Sequence, residues 1–161
     1  MADTSTTTGE EFYSGTFQDI INLARTLNIG EGRISVVTQE LVNFYQEQVD
    51  REMDGILNEL YYVPIRMFNQ IQPDGTTAKI FPGEVRSLAR YWTTGLLILT
   101  EFQGIEPNMS EQSTSYIEDS RRKAFRLIRY NQRIQGQEMK SNMSRTMPPS
   151  MQMPFPAESD V

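Results

Sequence analysis

The chain has 161 residues, 38% of them apolar, a formal net charge of -6, and neither cysteine nor histidine. That length suits one domain of roughly 100–150 residues plus arms. The two absences remove disulfides, thiolate nucleophiles, the Cys and His ligands of zinc sites and the commonest general base, so a non-enzyme with no cofactor is expected, although carboxylates remain for magnesium or acid–base work.

The opening Met1–Ser14, with its Ser-Thr-Thr-Thr run, reads as an N-terminal arm. Met1–Gly9 has neither the basic start nor the apolar run of a signal peptide, and the densest apolar run, Leu96–Leu99, covers only four residues. A membrane span needs about 18, so a soluble, non-exported chain is expected.

A first helix is expected from Thr16 as N-cap, with Asp19 completing a capping box and Gly30 as the stop. Phe17, Ile20, Ile21, Ala24 and Leu27 form its apolar face. Ile34, Val37, Leu41, Tyr45, Val49, Met53, Ile56 and Leu60 then step by three or four residues. That period predicts a long helix over Ser35–Tyr62, roughly 40 Å at 1.5 Å per residue, ended by Pro64. Gly55 inside it costs about 1 kcal/mol against alanine, which a close neighbouring backbone would explain.

Ile65–Phe81 holds the turn Pro73-Asp74-Gly75 between short apolar runs and reads as a hairpin-like excursion. Pro82 opens another helix, whose Val85, Leu88, Ala89, Trp92, Leu96, Leu97, Ile98 and Leu99 predict the buried centre of the fold. Trp92 is read as core. A last helix is expected over Ser113–Gln135, with Tyr116, Ile117, Ala124, Leu127, Ile128 and Ile134 inward. The expected fold is an all-α small bundle of three to four helices, one of them long, with a short β-hairpin and terminal arms. Its segments are an N-terminal arm 1–14, a helical domain 15–136 and a Met/Pro-rich tail 137–161.

Charge is segregated along the chain. Residues 1–120 carry 18 acidic and 7 basic side chains, whereas residues 121–145 carry 8 basic and one acidic. Arg121, Arg122, Lys123, Arg126, Arg129 and Arg133 fall on the last helix, and Arg122, Arg126, Arg129 and Arg133 share one face at spacings of four, three and four. Like charges so placed cost a few tenths of a kcal/mol per pair, which calls for compensation. An acidic surface on a partner or second copy is the first reading, a solvated face the second and nucleic-acid phosphate the third.

The tail holds five of the nine methionines: Met139, Met143, Met147, Met151 and Met153. Pro148 and Pro149, then Pro154 and Pro156, keep it extended around Phe155. Methionine adapts to irregular grooves and proline reduces the entropy lost on docking. The functional reading is an arm that lies along another subunit; the alternative is a frayed terminus. Glu52 with Asp54, and Glu118 with Asp119, are too close in a helix to converge on a metal or substrate. No Gly-rich phosphate loop is present.

Val49-Asp-Arg-Glu-Met-Asp-Gly-Ile-Leu-Asn-Glu-Leu-Tyr-Tyr-Val-Pro64 resembles the helix of head–tail adaptor (connector) proteins of tailed bacteriophages. The matching positions are Asp54, Gly55, Leu57, Tyr61 or Tyr62, Val63 and Pro64. The helix containing Val85-Arg-Ser-Leu-Ala-Arg-Tyr-Trp92 and the Arg-rich last helix resemble the family's later core helices, so the likeness covers about residues 16–135. The Ile65–Phe81 excursion and the tail are not general features of that family. The resemblance implies a virion neck protein, assembled in the host cytoplasm. It forms a ring, usually a dodecamer, beneath the portal protein, and neighbouring copies and a further neck or tail protein are its other partners. DNA passes through the channel without sequence-specific binding, and no membrane is involved. The basic residues and the tail would then meet the portal or a neighbouring subunit. A DNA-binding helical protein, such as a packaging-terminase small subunit, is the alternative.

Overall fold

Capping chemistry and apolar periodicity set the elements of the computed structural model, which describes residues 12–27, 29–101, 107–130 and 132–140. Helix α1 spans Phe17–Thr26, α2 Glu31–Ile34, α3 Gln39–Leu57, α4 Gly83–Glu101 and α5 Pro107–Arg129. Strands β1 (Phe68–Ile71) and β2 (Thr77–Ile80) form one antiparallel hairpin. The fold is thus mostly helical with a two-stranded excursion. Thr16 and Asp19 form the expected capping box at α1.

The long helix predicted over Ser35–Tyr62 is shorter. Thr38 turns its hydroxyl onto the Leu41 amide and starts α3 there, which separates α2 as one short turn. At the other end Leu60 and Tyr61 both donate to the Leu57 carbonyl. The helix therefore stops well before Pro64, whose peptide bond with Val63 is cis. Its 19 residues give about 28 Å rather than 40. The buried stripe is Val42, Tyr45, Gln46, Val49, Met53 and Leu57, so Leu41 and Ile56 sit at its edge.

Helix α4 is the central element and packs on α1, α3 and α5. Val85, Ala89 and Trp92 are fully buried on it. One apolar cluster joins α3, α4 and α5 around Trp92 and Tyr61; a second joins α1, α2 and the start of α3 around Ile20 and Leu97. The close helix approach lies at Gly95, not at Gly55. A Cβ at 95 would come 2.9 Å from Ile117 Cγ1 and 3.1 Å from the Ser113 carbonyl, whereas one at 55 meets nothing within 4 Å. The expectation for Gly55 is therefore corrected: its face of α3 is open.

Both expected domain boundaries move outward. Tyr13 and Ser14, assigned to the N-terminal arm, are buried in the body. Tyr13 packs edge-on against Phe81 at 5.0 Å between ring centroids. At the other end residues 137–140 belong to the domain. Met139 pairs with Tyr61 in an antiparallel bridge, and the Lys140 amide donates to the Leu60 carbonyl at 2.8 Å. The Gln137 amide acts as an extra peptide unit: it accepts from Arg66 N at 3.0 Å and donates to Arg66 O at 2.6 Å. Gly136 turns the chain there with φ 72°, and a Cβ would strike Phe68.

Candidate functional site

Helix α5 carries the charged residues singled out in the sequence. It starts at Pro107 rather than Ser113, a position that suits a residue without an amide hydrogen. It ends at Arg129 rather than Gln135. Tyr130 N still donates to Arg126 O, but Gln132 N reaches back to Leu127 O at 3.0 Å, which closes the helix end. The chain then turns so that Ile134 enters the core. Arg133 is consequently exposed but lies beyond the helix, and the four-arginine face is corrected to three: Arg122, Arg126 and Arg129.

The remaining cations diverge. Arg121 leans toward α3, where its Nη2 lies 2.6 Å from Glu52 and its guanidinium sits 5.2 Å above the buried Trp92 ring. Arg122 reaches its own helix, 3.3 Å from Asp119. Lys123 and Arg126 border a groove of about 540 Å³ with Glu84, Ser87, Leu88 and Tyr130. Arg129 lies 6.0 Å from the Tyr130 ring. Arg126 and Arg129 occupy the last turn of α5, where the negative end of the helix dipole favours cations. Together with Asp119, that dipole supplies part of the compensation the arginine spacing demands.

Two aromatic residues complete this surface, and the sequence reading missed them. Phe125 is 55% exposed and Tyr130 64% exposed, beside the arginines. Their legible signal is spacing: Ala124, Leu127 and Ile128 already fill the inward face, so Phe125 is left on the outward one. Of the tail positions, Met139 packs against the core as a partly buried neighbour. Met143, Met147, Pro148, Pro149, Met151, Met153 and Phe155 lie outside the described residues.

A buried polar seam holds the N-terminal segment to α3. The Tyr13 hydroxyl donates to Asp54 Oδ1 at 2.5 Å and accepts from Ile65 N at 2.7 Å, while Tyr13 N donates to Asp50 Oδ2 at 3.1 Å. Gln46 donates to Ser14 Oγ at 2.6 Å and to Gly15 O, and Arg90 Nε donates to Ser14 O. Burial pushes the Asp50 carboxyl up to about 7, reinforced by the charges of Asp54 and Glu47 and opposed by the Tyr13 amide. Burial likewise holds Asp54 above the ordinary aspartate range. The Tyr13 phenol is raised by burial first and by Asp54 second. Gln46, Asp50 and Asp54 recur every four residues along α3, a stripe the sequence displays but that the apolar pattern overshadows. Asp54 and Glu52 face Tyr13 and Arg121 respectively, so that carboxylate pair is split between two structural contacts.

Comparison with protein-family models, curated proteins and solved structures finds no match. Among the described residues no cluster of three or more Asp and Glu is arranged to hold a metal, and no helix is long and apolar enough to cross a membrane. One surface combines charge with exposed rings: Arg122, Phe125, Arg126 and Arg129 on the second half of α5, with Tyr130 just past its end. Guanidinium groups with aromatic neighbours are the residue types enriched where proteins bind other proteins.

Proposed function

We propose that this chain is a structural head–tail adaptor of a tailed bacteriophage. It forms a ring beneath the portal protein, joins it to the next neck or tail component and encloses the DNA exit channel. The observation that carries the reading is the exposed Arg122, Arg126 and Arg129 face, with Phe125 beside it, on a chain that is otherwise acidic. Such a face fits an acidic, partly apolar protein surface, where complementary charge steers assembly and an aromatic supplies desolvated contact area. The excess of acid over residues 1–120 repels the phosphate backbone, which suits a wall past which DNA slides and weighs against a terminase-like DNA grip. The resemblance of Asp54-Gly55 through Val63-Pro64 to connector proteins supports the same assignment.

The test is incubation of the purified chain with the portal protein of the same virus, followed by electron microscopy. A ring of density seated on the portal is expected. A portal that stays bare, together with DNA binding that weakens steeply with salt and is lost on neutralising Arg122, Arg126 and Arg129, would replace this reading with the DNA-binding one.

A further inference from the structure

The outward side of α5 has a second regularity. Glu111, Ser115, Glu118, Arg122, Phe125 and Arg129 are all exposed and are spaced four, three, four, three and four, so they form one straight seam along the helix. Its charge reverses about residue 120, acidic before and basic after. An antiparallel pair of such seams, centred at residue 120, sets Glu111 against Arg129, Ser115 against Phe125 and Glu118 against Arg122, and each pairing occurs twice by symmetry. The same register satisfies the rule that the two kinds of seam position oppose one another in antiparallel helix pairs. A parallel pair instead sets glutamate on glutamate and arginine on arginine, which the charges disfavour.

From this antisymmetry we infer that α5 is a self-recognition surface: two copies of the chain pair through antiparallel α5 helices in the register that places Glu111 opposite Arg129. The groove bordered by Glu111, Ser115, Glu118 and Arg122 gives the partner's Phe125 ring a place beside the small Ser115 side chain. Among the described residues Glu111, Glu118 and Arg129 have no ion-pair partner within the chain, so pairing need not break one. Arg122 keeps Asp119 on its own helix while it meets the partner's acid. The contact is polar with one aromatic per copy, so the dimer is weak and salt-sensitive. The inference concerns the free chain: its seam shares Arg122, Phe125 and Arg129 with the face proposed to meet the portal, so the pair must open before that face docks, and the charge-swap test below reads pairing without the portal.

Sedimentation equilibrium of the full chain at low salt tests it, with two charge reversals, Glu111→Arg and Arg129→Glu. The wild type is expected to form a reversible dimer that dissociates as salt is raised. Each single variant is expected to dimerise at least about tenfold more weakly, because like charges then face each other twice. An equimolar mixture of the two variants restores a dimer, since every layer regains opposite charges, and so does the double variant. Both positions are exposed, so circular dichroism should match the wild type, and Arg129→Glu should melt only slightly lower because it loses the favourable dipole contribution at the end of α5. A chain that stays monomeric at low salt, with this face left to a different and acidic partner, overturns the inference. So does a dimer indifferent to both reversals, or a mixture that fails to pair.

Discussion

Asp50 lies where the N-terminal segment crosses α3, with one carboxylate oxygen accepting from Tyr13 N and the other buried without a partner. Its pKa is raised to about 7, against about 3.9 in an unfolded chain. A raised acid binds more protons folded than unfolded, so its contribution is fully present below pH ~4 and is lost as pH rises through ~7. Asp50→Asn retains an acceptor for Tyr13 N without the buried charge. The variant should therefore gain on the wild type as pH rises from 5 to 8, by on the order of a few kcal/mol, read from urea unfolding at each pH. A constant difference across that range would contradict the assignment. Two of the helical glycines, Gly55 and Gly95, make an opposed pair. Gly55→Ala should stabilise by up to ~1 kcal/mol because its Cβ meets nothing. Gly95→Ala should destabilise by ~1–3 kcal/mol, because the new methyl meets Ile117 and the Ser113 carbonyl. Thermal unfolding of both separates the cases.

At the scale of elements, the exit of α3 depends on the returning chain. Tyr61 donates to the Gln132 carbonyl and accepts from Ile134 N at 3.2 Å. Lys140 Nζ meets the Asn58 carbonyl at 2.5 Å and its side-chain oxygen at 2.7 Å. A lysine so placed satisfies carbonyls that a helix end leaves open. Tyr61→Phe removes both hydroxyl bonds and should cost about 1–3 kcal/mol, with faster amide hydrogen exchange at Ile134 and Lys140. Unchanged exchange at those amides would count against the clasp. This region also marks the limit of what the chain discloses alone. The start of α1 at Thr16, the central place of α4 and the turn at Asp74-Gly75 were legible because capping residues, apolar period and turn chemistry agree there. Gly30, however, is not the stop of α1, which ends at Thr26 with Leu27 as C-cap, but the N-cap of α2. The break at Thr38 was not legible, because the apolar period runs on through Ile34 and Val37, which pack on α1 instead. Nor was the docking of residues 137–140, since a Gln side chain pairing with a distant backbone leaves no local pattern. The arginine spacing was readable up to Arg129. The chain's turn into the core, which removes Arg133 from the set, depends on long-range packing of Ile134.

The whole molecule is asymmetric in charge, with acids spread over the body and cations gathered at the end of α5. The bundle core lies elsewhere, beneath Ala124, Leu127 and Ile128, so the outward arginines and Phe125 can be altered without disturbing it. Residues 132–140 are tied to the chain just after α3, at Asn58 and Leu60, which confines any docking role of the Met/Pro-rich segment to the residues after Lys140. Deleting 141–161 should accordingly leave the melting temperature unchanged and weaken binding to the portal; full binding by the shortened chain would remove the arm from the account. The most direct test replaces Arg122, Arg126 and Arg129 together with glutamate and counts adaptor rings on portal particles by electron microscopy. A variant that folds like the wild type yet leaves the portals bare is the result expected. Rings formed as readily as by the unaltered chain would contradict the assignment of this face to assembly.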